Sequence, residues 1–161
     1  VTGEATPPRP PVRPAVALAF CLIGFVALVI AGLGLTSLAT DSDVIDVPGF
    51  GQVAGAVGVL AAAIAFAGTV WAAVRRPRPS FTTLVGIVVG TWLAYVLVSG
   101  VAAGASAGDM GIGMAVSASL AVRWPGLVVA AAALVAGWSA VALVRTRASR
   151  PRWPWERDED E

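Results

Sequence analysis

Trp92, Tyr95 and Ser99 recur at i, i+3 and i+7 inside an otherwise apolar stretch, with Thr91 at the i−4 position of Tyr95. On a helix that spacing gathers them on one face. A hydroxyl or an indole N–H in hydrocarbon needs a partner, so this face should point into a helix bundle. There it either packs between helices or lines a pocket for a small ligand or lipid. Catalysis is not expected of it. The chain has 0 histidines and no lysine, so no usual base is at hand to activate a serine, threonine or tyrosine. Its 10 acidic residues all fall in loops and tails, and the chain reads as no enzyme.

Other groups with chemical potential are weaker still. Asp41, Asp43 and Asp46 resemble the start of a calcium loop, but Asp46 and Gln52 stand where an EF-hand needs glycine and a bidentate glutamate. These carboxylates more simply keep a loop hydrated and outside the membrane. Cys21 is the only cysteine, which rules out an intrachain disulfide and a four-thiolate zinc site. Gly32-Leu33-Gly34 and Gly111-Ile112-Gly113 have neither the strand nor the acidic residue that a nucleotide site requires. No metal and no cofactor is expected.

The elements that carry these residues are set by hydropathy. Four runs without a charged side chain, about 15–38, 53–74, 81–103 and 125–144, are each long enough to cross a hydrocarbon core of about 30 Å. An arginine or aspartate at a span's centre costs about 2.5–3.5 kcal/mol, so four empty runs in succession point to an integral membrane protein. Lipid leaves the backbone only helical solutions for such segments. The expected fold is all-α, an integral membrane four-helix bundle over 15–144, with a Pro/Arg-rich N-terminus at 1–14 and a charged tail at 145–161. Glycines 104, 108, 111 and 113 weaken a helix after the third run. Met110 to Val122 is apolar yet too short to span, and reads as a helix at, or folded back toward, the outer surface, or else as an ordered loop.

Arginine placement orients the spans. Of 11 basic residues, all arginine, ten lie before span one, between spans two and three, or after span four; Arg123 is the exception. Those three segments fall on one side, and Asp41, Asp43, Asp46 and Asp109 fall on the other. The positive-inside rule then makes both termini cytoplasmic, and the expected location is the inner (plasma) membrane of a cell. A signal peptide ending at Ser37-Leu38-Ala39 is the competing reading of the first run, but the apolar core exceeds the usual length of about 7–15 residues. The absence of lysine and asparagine suggests a GC-rich, bacterial genome, and Val1 a GTG start read literally. The net charge of +1 offers no footprint for nucleic acid.

Two further patterns suggest partners. Gly51-x-x-x-Gly55 and Gly86-x-x-x-Gly90 fit the small-residue motif by which membrane helices approach closely. Gly58, Ala62, Ala65, Thr69 and Ala72 continue the first motif in a four-three spacing, as would suit another helix of this chain, of a homo-oligomer or of another membrane protein. In the tail, Arg145, Arg147, Arg150 and Arg152 adjoin the membrane, Trp153 and Trp155 follow, and an acidic cluster lies farthest out. Each juxtamembrane arginine is worth about 1 kcal/mol of attraction to anionic lipid headgroups, and the tryptophans suit headgroup depth.

The four spans with the Arg-Pro-Arg-Trp-Pro-Trp-Glu sequence of Arg150 to Glu156 resemble small uncharacterised actinobacterial membrane proteins grouped as a family of unknown function. That resemblance implies no catalytic residues. Small multidrug transporters, b-type cytochromes and thiol oxidases of four spans fit poorly, because the membrane glutamate, histidines and paired cysteines they use are missing. The expected role is a structural or accessory subunit of a membrane complex. The alternative is a transporter or ligand-binding component without an intramembrane ionisable site.

Overall fold

The computed structural model describes residues 14–41, 44, 51–74 and 81–145. They form five helices: α1 (Pro14–Thr40), α2 (Gly51–Val74), α3 (Phe81–Ala107), α4 (Met110–Val122) and α5 (Trp124–Arg145). All but α4 are long and apolar enough to cross a membrane. Apart from the terminal Arg145, no helix contains a charged residue. Helices α1, α2, α3 and α5 pack in a ring in that order, and α4 lies against α3 and α5.

Each helix turns one line of residues inward. On α1 it is Ala17, Cys21, Phe25, Val29 and Leu33, spaced four apart, and on α2 it is Ala54, Ala62, Phe66 and Val70. Phe25 and Phe66 join these lines by stacking at 4.5 Å, with 8° between their rings. The opposite faces are apolar too. Phe20 is 70% exposed, Ile23 67%, Ile64 66% and Leu127 62%, values a water-soluble bundle would not tolerate around its whole girth.

Helix α3 runs past Gly104, the first of the glycines expected to weaken it. It reaches Ala107 because Gly104 is used for close packing instead of a turn: a Cβ there would meet the Gly113 Cα at 3.2 Å. The stop comes at Gly108, whose φ of 68° is the left-handed conformation glycine adopts at little cost. The Asp109 N–H then donates to the Gly104 carbonyl at 3.1 Å, the six-to-one bond of a Schellman motif. Asp109 also starts the next helix, its Oδ1 accepting from the Gly111 N–H at 2.7 Å.

Residues 110–122 are therefore helical, and α4 descends alongside the final turns of α3. Asp109→Ala should remove its cap at a cost of about 1 kcal/mol. Amide exchange of Gly111 to Gly113 should speed up, with exchange in α1 and α2 unchanged; equal protection in the variant would show that packing alone holds this end.

Helix α4 closes at Arg123, whose N–H donates to the Ser119 carbonyl at 2.9 Å. Pro125, lacking a donor, sits in the first turn of α5 where none is needed. Helices α4 and α5 thus run in the same sense past α3, with a break at Arg123 between them.

Candidate functional site

The interior face of α3 carries the only described hydroxyls that are both fully buried and without a hydrogen-bond partner. Thr91, Tyr95 and Ser99 are each 0% exposed, and Thr91 Oγ1, Tyr95 OH and Ser99 Oγ find no acceptor or donor. Steps of four residues place them on one line, about 6 Å of rise apart.

Five other hydroxyls are satisfied by the backbone of their own helix. Thr40 donates to the Thr36 carbonyl at 2.8 Å, Thr69 to Ala65 at 2.8 Å, Ser106 to Ala102 at 2.7 Å and Ser139 to Val135 at 2.8 Å. Ser119 does likewise with Val116 at 2.9 Å. Such back-bonding is the ordinary fate of serine and threonine in a helix. Ser99 does otherwise: its Oγ faces α2, so close to Gly58 that a Cβ at that glycine would overlap it. The Tyr95 ring borders the same glycine, its Cδ2 lying 3.3 Å from where that Cβ would stand.

Trp92 belongs to a different contact. Its Nε1 lies 3.1 Å from the Cβ position of Gly126 on α5, beside the Leu120 carbonyl of α4. The three residues grouped by sequence spacing are therefore divided. Tyr95 and Ser99 lie against Gly58 of α2, while Trp92 stands where α3, α4 and α5 meet.

The glycines divide as well. Gly58 is buried between α2 and α3, and Gly90 faces Thr69, with Cγ2 at 3.6 Å from its Cβ position. Gly55 is half-buried, and the surroundings of Gly51 lie outside the described residues. Gly86 is exposed with nothing within 4 Å. The inward line of α2 runs through Ala54, Gly58, Ala62 and Phe66, so it shares only Gly58 and Ala62 with the small-residue face read from spacing.

A second close approach, which spacing alone does not pair, joins α3 to α4. A Cβ on Gly113 would lie 2.6 Å from the Gly100 carbonyl oxygen and 3.1 Å from the Gly104 Cα. Ser117 crosses the same seam, its hydroxyl donating to the Val96 carbonyl at 3.3 Å. The signal was present in Gly100, Gly104 and Gly113, but it becomes legible only once Gly108 is known to reverse the chain.

Of the tail, Arg145 closes α5, whereas Arg147, Arg150, Arg152, Trp153 and Trp155 lie outside the described residues. Asp43 and Asp46 do too. Among the described residues, no three carboxylates, cysteines or histidines gather in a way that could hold a metal ion.

A family model described as a family of unknown function (DUF6121) matches residues 12–161. No curated protein and no solved structure matches the chain.

Proposed function

Since the chain belongs to DUF6121, a family of unknown function, we propose from its own structure that it is a multi-pass protein of the inner (plasma) membrane, without enzymatic activity, acting as a structural or accessory subunit of a membrane complex. The observation that carries this reading is a set of glycines against which none of the described residues packs. Gly24, Gly34, Gly68 and Gly86 have nothing within 4 Å of a Cβ position. Glycine in a helix interior costs roughly 0.5–1 kcal/mol relative to alanine, and in lipid such residues earn their place where another helix approaches. Both termini are cytoplasmic in this reading, supported by the arginine alternation. The arginines of the tail then face anionic headgroups.

The test is native expression of a tagged chain, mild extraction and crosslinking. A partner or a second copy should be recovered, and Gly68→Leu or Gly86→Leu should release it while the bundle stays folded. A wild-type chain that runs alone and crosslinks to nothing would end the subunit reading.

The buried hydroxyls favour a second reading, a membrane component that binds a small ligand without an ionisable site in the bilayer. Enclosure restricts that ligand, since Thr91, Tyr95 and Ser99 are all sealed from the surface.

A further inference from the structure

We propose that Arg123 holds the phosphate of an outer-leaflet phospholipid, so that the break between α4 and α5 is a headgroup site fixing the depth of the last span. The site presupposes the multi-pass membrane placement proposed above and is independent of the subunit role.

Arg123 is the one arginine that departs from the alternation of the other ten, and the only charged residue between Asp109 and Arg145. Its backbone leaves the helical conformation, with φ −92° and ψ 170°, and the residue is exposed. The exposed residues around it are apolar: Val122 precedes it at 78% exposure, and Leu127 follows four residues later. A guanidinium set among lipid-facing side chains meets the bilayer itself, and its level decides which part of the bilayer that is.

Two spacings set the level. Along α5, Arg123 and Arg145 are 22 residues apart with no charge between them. That is about 33 Å of helical rise, against a hydrocarbon core of about 30 Å, so the two arginines bracket the core. Across the bundle, α1 and α5 run in opposite senses and meet at Gly32 and Val128. From that contact Asp41 lies nine residues onward along α1, about 13 Å, and Arg123 five residues back along α5, about 8 Å. A carboxylate and a guanidinium on different helices thus mark the same boundary to within about 6 Å. Trp124, half-buried against the core, follows Arg123 directly and suits headgroup depth.

The ligand follows from that level. At the edge of the hydrocarbon the anion available to a guanidinium is a lipid phosphate, whose oxygens match its planar donors two at a time. Every phospholipid carries that group, so the site recognises the phosphate and not the alcohol esterified to it.

A nitroxide on Leu127→Cys, in a Cys21→Ala background, reads the depth of α5 by its collisions with oxygen and with a nickel chelate. In phosphatidylcholine bilayers the label on the full chain should lie about 6 Å inside the phosphate level. Arg123→Gln should move it by about 1.5–3 Å, one or two residues of rise, and Arg123→Lys should move it less. Exchange into a phosphate-free galactosyl diacylglycerol with the same acyl chains should displace the label of the Arg123 protein more than that of Arg123→Gln, which cancels any effect of bilayer thickness. Added inorganic phosphate should not reverse the displacement; reversal would overturn the lipid as the source. A label near the bilayer centre would put α4 in the hydrocarbon and overturn the site. A depth unmoved by Arg123→Gln, and displaced equally in both proteins by lipid exchange, would overturn the phosphate contact while the membrane placement stood. A label exposed to water throughout would overturn both.

Discussion

Gly58→Ala is expected to loosen the bundle by about 1–3 kcal/mol, the usual range for overpacking a filled interior, and Ser99→Ala is expected to restore most of that loss. The added methyl would overlap Ser99 Oγ, while its next neighbours, Ser99 Cβ at 3.1 Å and Tyr95 Cδ2 at 3.3 Å, are only tight. Removing one oxygen therefore clears the main obstruction. Gly58→Leu cannot be cleared in this way and should abolish folding. Cys21 supplies the readout, since it is the only cysteine and is buried on α1. Where labelling follows transient opening, each 1.4 kcal/mol is tenfold, so Gly58→Ala should accelerate thiol labelling roughly 5- to 140-fold. Labelling that stays fast in the double variant would show that some contact other than Ser99 makes Gly58 necessary.

Gly113→Val should detach α4 from α3, and no second substitution should reverse it. The atoms in its way are the Gly100 carbonyl oxygen at 2.6 Å and the Cα and N of Gly104 at 3.1 and 3.3 Å. These are backbone atoms of a continuous helix and cannot turn aside as a serine hydroxyl can. The loss should exceed the range of about 1–3 kcal/mol expected for a smaller insertion. Ser117→Ala on the same seam should cost only about 1 kcal/mol, the net worth of one hydrogen bond. Amide exchange separates the two outcomes: in Gly113→Val protection should vanish across Met110 to Val122, with the ring of α1, α2, α3 and α5 still protected. Protection retained in α4 would mean that its contacts with α5 suffice to hold it.

These two sites show what could and could not be read from the chain. The long helices were legible because their signal is bulk hydropathy, which needs no knowledge of neighbours. The short helix was harder, since residues 110–122 are apolar and glycine-containing in a way that suits a loop as well. Gly104 was read as weakening α3, although it lies inside that helix and lets α4 approach. Sequence does not say whether a glycine serves conformation or proximity.

The division of Trp92 from Tyr95 has a related cause. Three residues apart on a helix means about 60° of rotation, which on an exposed helix is one face. Helix α3 is packed by α2, α4 and α5, and there 60° carries a side chain from one neighbour to the next. Thr91, four residues from Tyr95, is fully buried as Tyr95 and Ser99 are and continues their line along α3. Gly86 and Gly90 show the same limit, because a four-residue spacing does not tell a seam within the chain from a surface left for another.

The ring of helices also sets a timetable. Helix α1 meets α5 where a Cβ on Gly32 would lie 2.6 Å from Val128 Cγ1, so the first span finds one of its two ring neighbours only in the last. Some 96 residues separate that pair, and ribosomes add roughly 5–20 residues per second. The ring thus stands open for roughly 5–20 seconds of synthesis, with the α5-facing side of α1 available to any insertion factor or protease that patrols the membrane. A chain halted before Val128 keeps that side permanently open, and the cell can distinguish it from the finished protein by this face alone.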